Sequence, residues 1–382
     1  METPHDDNTK SLKRLICSKD DQDQQLPLYE NSTKNQVSID ILRKKIVLLL
    51  VSDLDCPPEE LSILDQMYRE ARLDPTRPES QYEVVWLPVV PNHMTTPWTE
   101  GNQIKFEELR NMMPWYSVFH PSLLDPTVIE YIKKVWHLKQ KPLLVVMDHQ
   151  GRIVNTNALH MMWIWGSVAF PFTSVREEAL WREETWRMDL LADSIEPMLC
   201  NWIAEGEDME WIRKFTTTAQ TMARRAGIQL EMLYVGKSNP REKVRKTNEI
   251  IRAENLSYVL PDLVLIWLFW VRLESMLASK IQHTKSSDTL ATDPIIKWIS
   301  GLLTYDGNDQ SWALISRGSN GGMIRAEGDT LFRSFNNYHK WQDEAQDKGF
   351  LSALQDHVAG QCQPHHCNRL VLSRNHASGQ ER

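Results

Sequence analysis

Six apolar residues in a row, Ile46 to Val51, bounded by Lys45 and Ser52, are the first fixed point along the chain. An unbroken run of that kind predicts a strand covered on both faces, at the centre of a sheet rather than at its edge. Pro58 and Glu59 then suit the first turn of a helix. Behind them Leu61, Leu64, Met67 with Tyr68, and Ala71 recur at spacings of three and four, so one face of that helix is apolar. A proline-rich loop at 74–78 leads to a second apolar strand over 82–90, and two strands flanking one helix make a parallel unit. A helix over 126–138 precedes a third apolar strand at 141–148, which His149-Gln150-Gly151-Arg152 turns back into Ile153 and Val154 as a hairpin. Residues 1 to about 40 are polar, without apolar periodicity, and are expected to be mobile.

Parallel strands followed by an antiparallel hairpin, with a proline opening the third strand, is the order of a thioredoxin-like sheet. Pro142 stands where that fold places a cis proline. The second half reads as an echo of the first. A helical stretch from Val175 to about Ala204 is followed by an amphipathic helix carrying Met209, Ile212, Phe215, Ala219, Met222 and Ala226, stopped by Gly227. A strand is expected over 228–235, then a helix over 241–253, an apolar segment at 263–281 and a short helix over 295–303. Strands at 312–316 and 323–326 meet at a glycine-rich turn, and a last helix covers about 331–348. The strand that should open this second unit is missing from the prediction, because Trp202 to Met209 leaves no room for one.

Composition narrows the class. At 382 residues, 41% hydrophobic and 25% charged, the chain holds two or three ordinary globular domains. A formal charge of -8 argues against a broad nucleic-acid footprint. The longest apolar run, nine residues from Leu263 to Val271, is short of the roughly 20 that a bilayer span needs, so no membrane span is expected. Five cysteines, odd in number and mostly far apart, fit a reducing compartment, and the polar, acidic N-terminus has no secretory pattern. A cytosolic protein is therefore expected. The 15 tryptophans exceed what cores of this size hide, and large aromatics left at the surface point to self-association.

The chemistry on offer is slight. Cys56-Pro57-Pro58 sits between the first strand and its helix, where a thiol oxidoreductase carries an attacking cysteine, but the resolving position is Glu59. Asp53, Asp55, Glu59 and Glu60 surround Cys56 with negative charge, which disfavours its thiolate. Cys56 therefore reads as a half-buried structural cysteine. Cys362, His365, His366 and Cys367 carry zinc-ligand chemistry without the spacing of a complete site. Asp306-Gly307-Asn308-Asp309 reads as a turn, and the glycines at 318, 321 and 322 lack the Lys-Ser/Thr of a phosphate loop. No catalytic residue, no cofactor and no metal site is expected.

Several blocks resemble the sieve element occlusion family of plant phloem proteins: LRKKIVLLLVSDLD (42–55), KPLLVVMDHQGRIVNTNALHMMWIWGSVAFPFT (141–173), EDMEWIRKFTTTAQ (207–220), LPDLVLIWLFWVRLESM (260–276) and PHHCNRLVL (364–372). The resemblance implies a thioredoxin-like fold without paired redox cysteines. It also implies a non-enzymatic role, assembly into P-protein filaments in sieve elements that gather at sieve plates after wounding. Partners would be further copies or other family members, with calcium responsiveness but no identifiable calcium site. The place implied is the cytoplasm of phloem sieve elements. Three departures from the family pattern are expected: a large helical N-terminal domain absent, making this a truncated member; a short strand lost between Gly206 and Glu207; and Ser373-Arg374-Asn375-His376 in place of a cysteine-rich C-terminal block.

The expected organisation is a disordered tail over 1–40, a thioredoxin-like domain over 41–173, a second, degenerate thioredoxin-like α/β region of the family's C-terminal type over 174–348, and a tail over 349–382. Two other readings stay open: a thioredoxin-like thiol oxidoreductase acting through Cys56, and a redox-inactive adaptor that binds protein beside Pro142.

Overall fold

The computed structural model describes residues 7–17, 26–73, 81–90, 98–139, 141–184, 190–191, 202–205, 209–237, 241–283, 292–306, 311–317 and 322–361. The chain forms two units, Met1–Thr185 with Trp270–Ser300, and Trp186–Phe269 with Gly301–Arg382. Both are therefore discontinuous in sequence, which moves the expected boundary at 173/174: the helix after Thr173 and residues 270–300 belong to the first unit.

The first unit is built on a seven-stranded sheet. Its elements are α1 (Asn8–Ile16), β1 (Leu28–Glu30), β2 (Asn35–Val37), β3 (Ile46–Ser52), α2 (Pro58–Leu73), β4 (Tyr82–Pro88), α3 (Glu100–Met112), β5 (Tyr116–Val118), α4 (Pro126–Val135), β6 (Leu143–Met147), β7 (Ile153–Asn155), α5 (Leu159–Trp165) and α6 (Ser174–Glu183). Strand order is β2-β1-β5-β4-β3-β6-β7. The expected pattern is present: β3 pairs in parallel with β4 and β4 with β5, while β6 runs antiparallel to β3 and turns into β7. β3 sits in the middle because Val47 to Val51 are all fully buried, as a strand covered on both faces must be. Val47, Leu49 and Val51 pack into one core cluster with Val85, Leu87, Val145 and Met147, and the period of two sends Leu48 and Leu50 to the opposite face.

The expected mobile tail is corrected. α1 packs Leu12 and Ile16 into the same core, and β1 and β2 extend the sheet beyond β5. What ties α1 down is a buried amide. Asn8 Nδ2 donates to the Leu42 and Lys45 carbonyls at 2.8 and 2.9 Å, and its Oδ1 accepts from Lys44 N at 2.9 Å. The cis proline is corrected too: the cis bond is Phe170–Pro171, not the one before Pro142.

The second unit carries β8 (Trp202–Glu205), α7 (Met209–Ala226), β9 (Leu233–Tyr234), α8 (Arg241–Glu254), β10 (Tyr258–Val259), α9 (Leu263–His283), α10 (Pro294–Asp306), β11 (Trp312–Ser316), β12 (Met323–Glu327), α11 (Gly328–Asn336), α12 (Gln342–Lys348) and α13 (Phe350–Gln361), with α9 and α10 each running from one unit into the other. The strand judged missing is there. β8 is the central strand of the sheet β10-β9-β8-β11-β12, parallel to β9 and antiparallel to β11. Its connections repeat those of β3 to β7: a central first strand, two parallel strands outward on one side, then an antiparallel hairpin on the other.

Gly227 ends α7 at φ +65°, a left-handed backbone that glycine adopts without a Cβ clash, and Ile228 N bonds back to the Ala223 carbonyl at 3.1 Å. The strand beyond it is only two residues long, and the last predicted helix is broken into α11, a 3-10 turn at Tyr338–Lys340 and α12. The expected tail from residue 349 is corrected as well, since α13 buries Ala353, Leu354 and Val358 against α7, β11, β12 and α11. Among the described residues no helix is long and apolar enough to cross a membrane.

Among the described residues the tryptophans are buried or half-buried. Trp86, Trp115, Trp312 and Trp341 are at most 2% exposed, and no described tryptophan is among the exposed large apolar side chains. Burial is affordable where the indole N–H finds an acceptor: Trp86 donates to Ser52 Oγ at 2.9 Å, Trp181 to Ser279 Oγ at 2.7 Å and Trp341 to the Ser334 carbonyl at 3.0 Å.

Candidate functional site

The carboxyl end of β3 delivers Ser52, and six positions later the chain enters α2 with Pro58 in its first turn. Cys56 lies in that connection. It is buried, not half-buried, at 5% exposure. Burial first, then the charges of Glu60 and Asp53, push its thiol up to about 12, against a lowering hydrogen bond with Ser52. The thiolate fraction near neutral pH is thus negligible, and Glu59 on the first turn of α2 offers no second sulfur.

At Glu60, four residues after Cys56, a cleft of about 460 Å³ opens between α2, the segment leading into β6, α5 and α9. Glu60, His137, Lys139, Lys141, Asn157 and His160 supply its polar lining, with Trp163, Val271 and Ser275 among the rest. Glu60 is pushed up to about 7 by burial, with Glu59 adding to the rise and Lys141 opposing it, and its Oε2 is buried without a hydrogen-bond partner. Lys141 gives its ammonium to Glu274 at 2.9 Å. His160 is held below the usual imidazole range by burial, and its Nδ1 lies 3.2 Å from Ser275 Oγ. The sequence had shown Glu60 only as one of four acids around Cys56; its burial arises because α9 returns across the cleft more than 200 positions later, which no local pattern displays. His160 carried a weak signal, a lone polar residue in the apolar stretch of α5.

Deeper in the same unit, Glu177 on α6 is 1% exposed; Ser279 Oγ donates to its Oε1 at 2.5 Å, and His283 Nε2 comes within 3.0 Å of its Oε2. The second unit has a cleft of about 580 Å³ lined by Ile228, Arg317, Tyr338, Lys348, Phe350 and Leu351, among others. Its polar lining, which includes Gln229, Ser316, Arg317 and Gln346, has no carboxylate or histidine, and Lys348 is paired with Glu344 and Asp356. Among the described residues no group of three or more His, Cys, Asp or Glu side chains could hold a metal ion. Cys362, His365, His366 and Cys367 lie outside the described residues, as do positions 307–309 of the acidic turn and the glycines at 318 and 321.

Comparison with known proteins gives the following. The family described as "Sieve element occlusion C-terminus" matches residues 175–382. Protein SIEVE ELEMENT OCCLUSION B of Arabidopsis thaliana is 43% identical over 372 residues, covering 94% of this chain and 49% of that protein. Protein SIEVE ELEMENT OCCLUSION A of the same plant is 38% identical over 356 residues, covering 89% of this chain and 42% of that protein. The chain spans about half the length of the curated relatives it matches. Among solved structures, tryparedoxin II from C. fasciculata overlaps 45% of this chain and 99% of its own, at a TM-score of 0.33 and 19% identity.

Proposed function

The chain belongs to the sieve element occlusion family, and from that membership we propose that it is a non-enzymatic structural phloem protein. In this reading it self-associates, or associates with other family members, into P-protein filaments in the cytoplasm of sieve elements and takes part in sieve plate occlusion after wounding. The observation that carries the non-enzymatic part is Cys56: a buried thiol held near 12, with a glutamate at the resolving position, leaves thiol chemistry without a nucleophile. The first unit is read as a thioredoxin-like domain. The second unit is read as a degenerate thioredoxin-like half, a reading supported by its repetition of the β3 to β7 strand order.

The redox reading through Cys56 is the weaker one, because that thiol is buried and a glutamate, Glu59, stands where the resolving sulfur would have to be. The test is light scattering with negative-stain microscopy of the purified protein over a concentration series, with and without calcium and reductant. Concentration-dependent filaments support the structural reading. A folded monomer under every condition, or turnover of a disulfide substrate lost in Cys56→Ser, overturns it.

A further inference from the structure

The cleft at Glu60 is lined by charges of both signs, and only some of them are paired with each other. At the α2 end stands the Glu60 carboxyl, whose Oε2 is buried and has no hydrogen-bond partner. The cation closest to hand, Lys141, is paired with Glu274 at 2.9 Å. A carboxyl left in this state is costly, because its desolvation is not repaid by a donor. On the segment leading into β6, His137 and Lys139 line the same cleft, and neither side chain has a partner among the described residues. Asn157 adds an amide whose orientation is fixed: its Oδ1 accepts from Leu144 N at 3.3 Å and Leu159 N at 3.2 Å, so Nδ2 is the free end. His160 has Nδ1 engaged with Ser275, which leaves Nε2.

One carboxyl and several donors on the walls of one cleft complement a molecule that carries both charges. We propose that this cleft binds a small zwitterion, its ammonium paired with the Glu60 carboxylate and its carboxylate taken by Lys139, His137 and the Asn157 amide. A simple anion would leave Glu60 facing like charge, and a simple cation would face the basic residues; each mismatch is expensive in a partly desolvated site. The volume of about 460 Å³ is that of a small-molecule site and has room for every member of an amino-acid-sized series. This binding is independent of whether the protein forms filaments.

Binding carries a proton signature. Burial pushes the Glu60 carboxyl up to about 7, so pairing it with an ammonium group drives off the proton that part of the population holds. The experiment is isothermal titration calorimetry of the full chain at pH 7 in two buffers of different ionisation enthalpy. The probes are a homologous series of ω-amino carboxylates, from glycine to 6-aminohexanoate, with acetate and methylammonium as single-charge controls. The expected result is saturable binding that peaks at one chain length, at least tenfold tighter than either control, with release of up to about half a proton. Glu60→Gln, which keeps the shape of the protonated form, should weaken that binding at least tenfold and abolish the proton release. Lys139→Gln sits on exposed chain and leaves the core alone, so a loss of binding there cannot come from misfolding. Absence of binding by every member, affinity unchanged in both variants, or equal binding of acetate and the zwitterion overturns the proposal.

Discussion

His283 Nε2 stands 3.0 Å from Glu177 Oε2, joining the last turn of α9 to the buried face of α6 as an ion pair. Glu177 first, by its hydrogen-bonding and charge, and Glu178 to a lesser extent, raise the His283 pKa against the opposing effect of burial. A raised folded-state pKa means that the charged form stabilises the fold. That contribution is complete below the unfolded histidine value of about 6.5 and is lost as pH climbs through the higher folded value. His160, lowered by burial, acts in the opposite sense below about 6.5. The difference between wild type and His283→Gln isolates the pair: it should be on the order of 2 kcal/mol at pH 6 and shrink toward pH 8.5. Urea unfolding across that range measures it, and a difference that grows with pH contradicts the assignment.

Replacing Asn8 tests whether the N-terminal helix belongs to the fold. Its three hydrogen bonds to Leu42, Lys44 and Lys45 are made by one side chain with no exposed surface. Asn8→Ala leaves two carbonyls and one amide without a donor or acceptor, at a cost of about 2–3 kcal/mol. Thermal unfolding should shift down by several degrees. An unchanged midpoint would mean that the segment packs without holding anything.

Thiol reactivity separates Cys56 from Cys17, which is only partly buried. With the Cys56 thiol near 12, roughly one molecule in ten thousand is ionised at pH 8. Iodoacetamide in the native state, followed by peptide mass mapping, should label Cys17 and spare Cys56 over the same interval. Fast labelling of Cys56 would restore the redox reading.

Ala204 is paired with Ala313 on one side and Tyr234 on the other, so β8 is a strand with two neighbours. Proline there removes a ladder hydrogen bond and sterically disrupts a central position, which should cost about 3 kcal/mol or more. Hydrogen exchange should show lost protection in β9 and β11, and unaltered protection in both would place 202–205 outside the sheet.

The elements with the strongest patterns are present in the structure. Val47 to Val51 read as a central strand because five consecutive apolar residues admit little else, and α7 because its apolar positions repeat at the helical period and a glycine ends it. What escaped was held by means that pattern does not display. α1 has two core residues, Leu12 and Ile16, and is anchored by the polar Asn8. β8 is four residues long beside a glycine and acids, and it is a strand because β9 and β11 pair with it. The tryptophans were misjudged because acceptors such as Ser52 and Ser279 become visible only when the chain has folded around them. The cleft at Glu60 had one legible element, the helix that follows the Cys-Pro-Pro turn, while another wall comes from α9, far along the sequence.

Because both units are interrupted, synthesis begins the second before it has finished the first. The indole of Trp181 has to wait for Ser279, 98 positions downstream, and β8, β9 and β10 are laid down within that interval. A ribosome partway through residues 186–269 therefore holds a first unit without its closing helix. No single cut in the chain between residues 186 and 300 can leave both units whole, so nicking or early termination in that stretch would cripple the pair together.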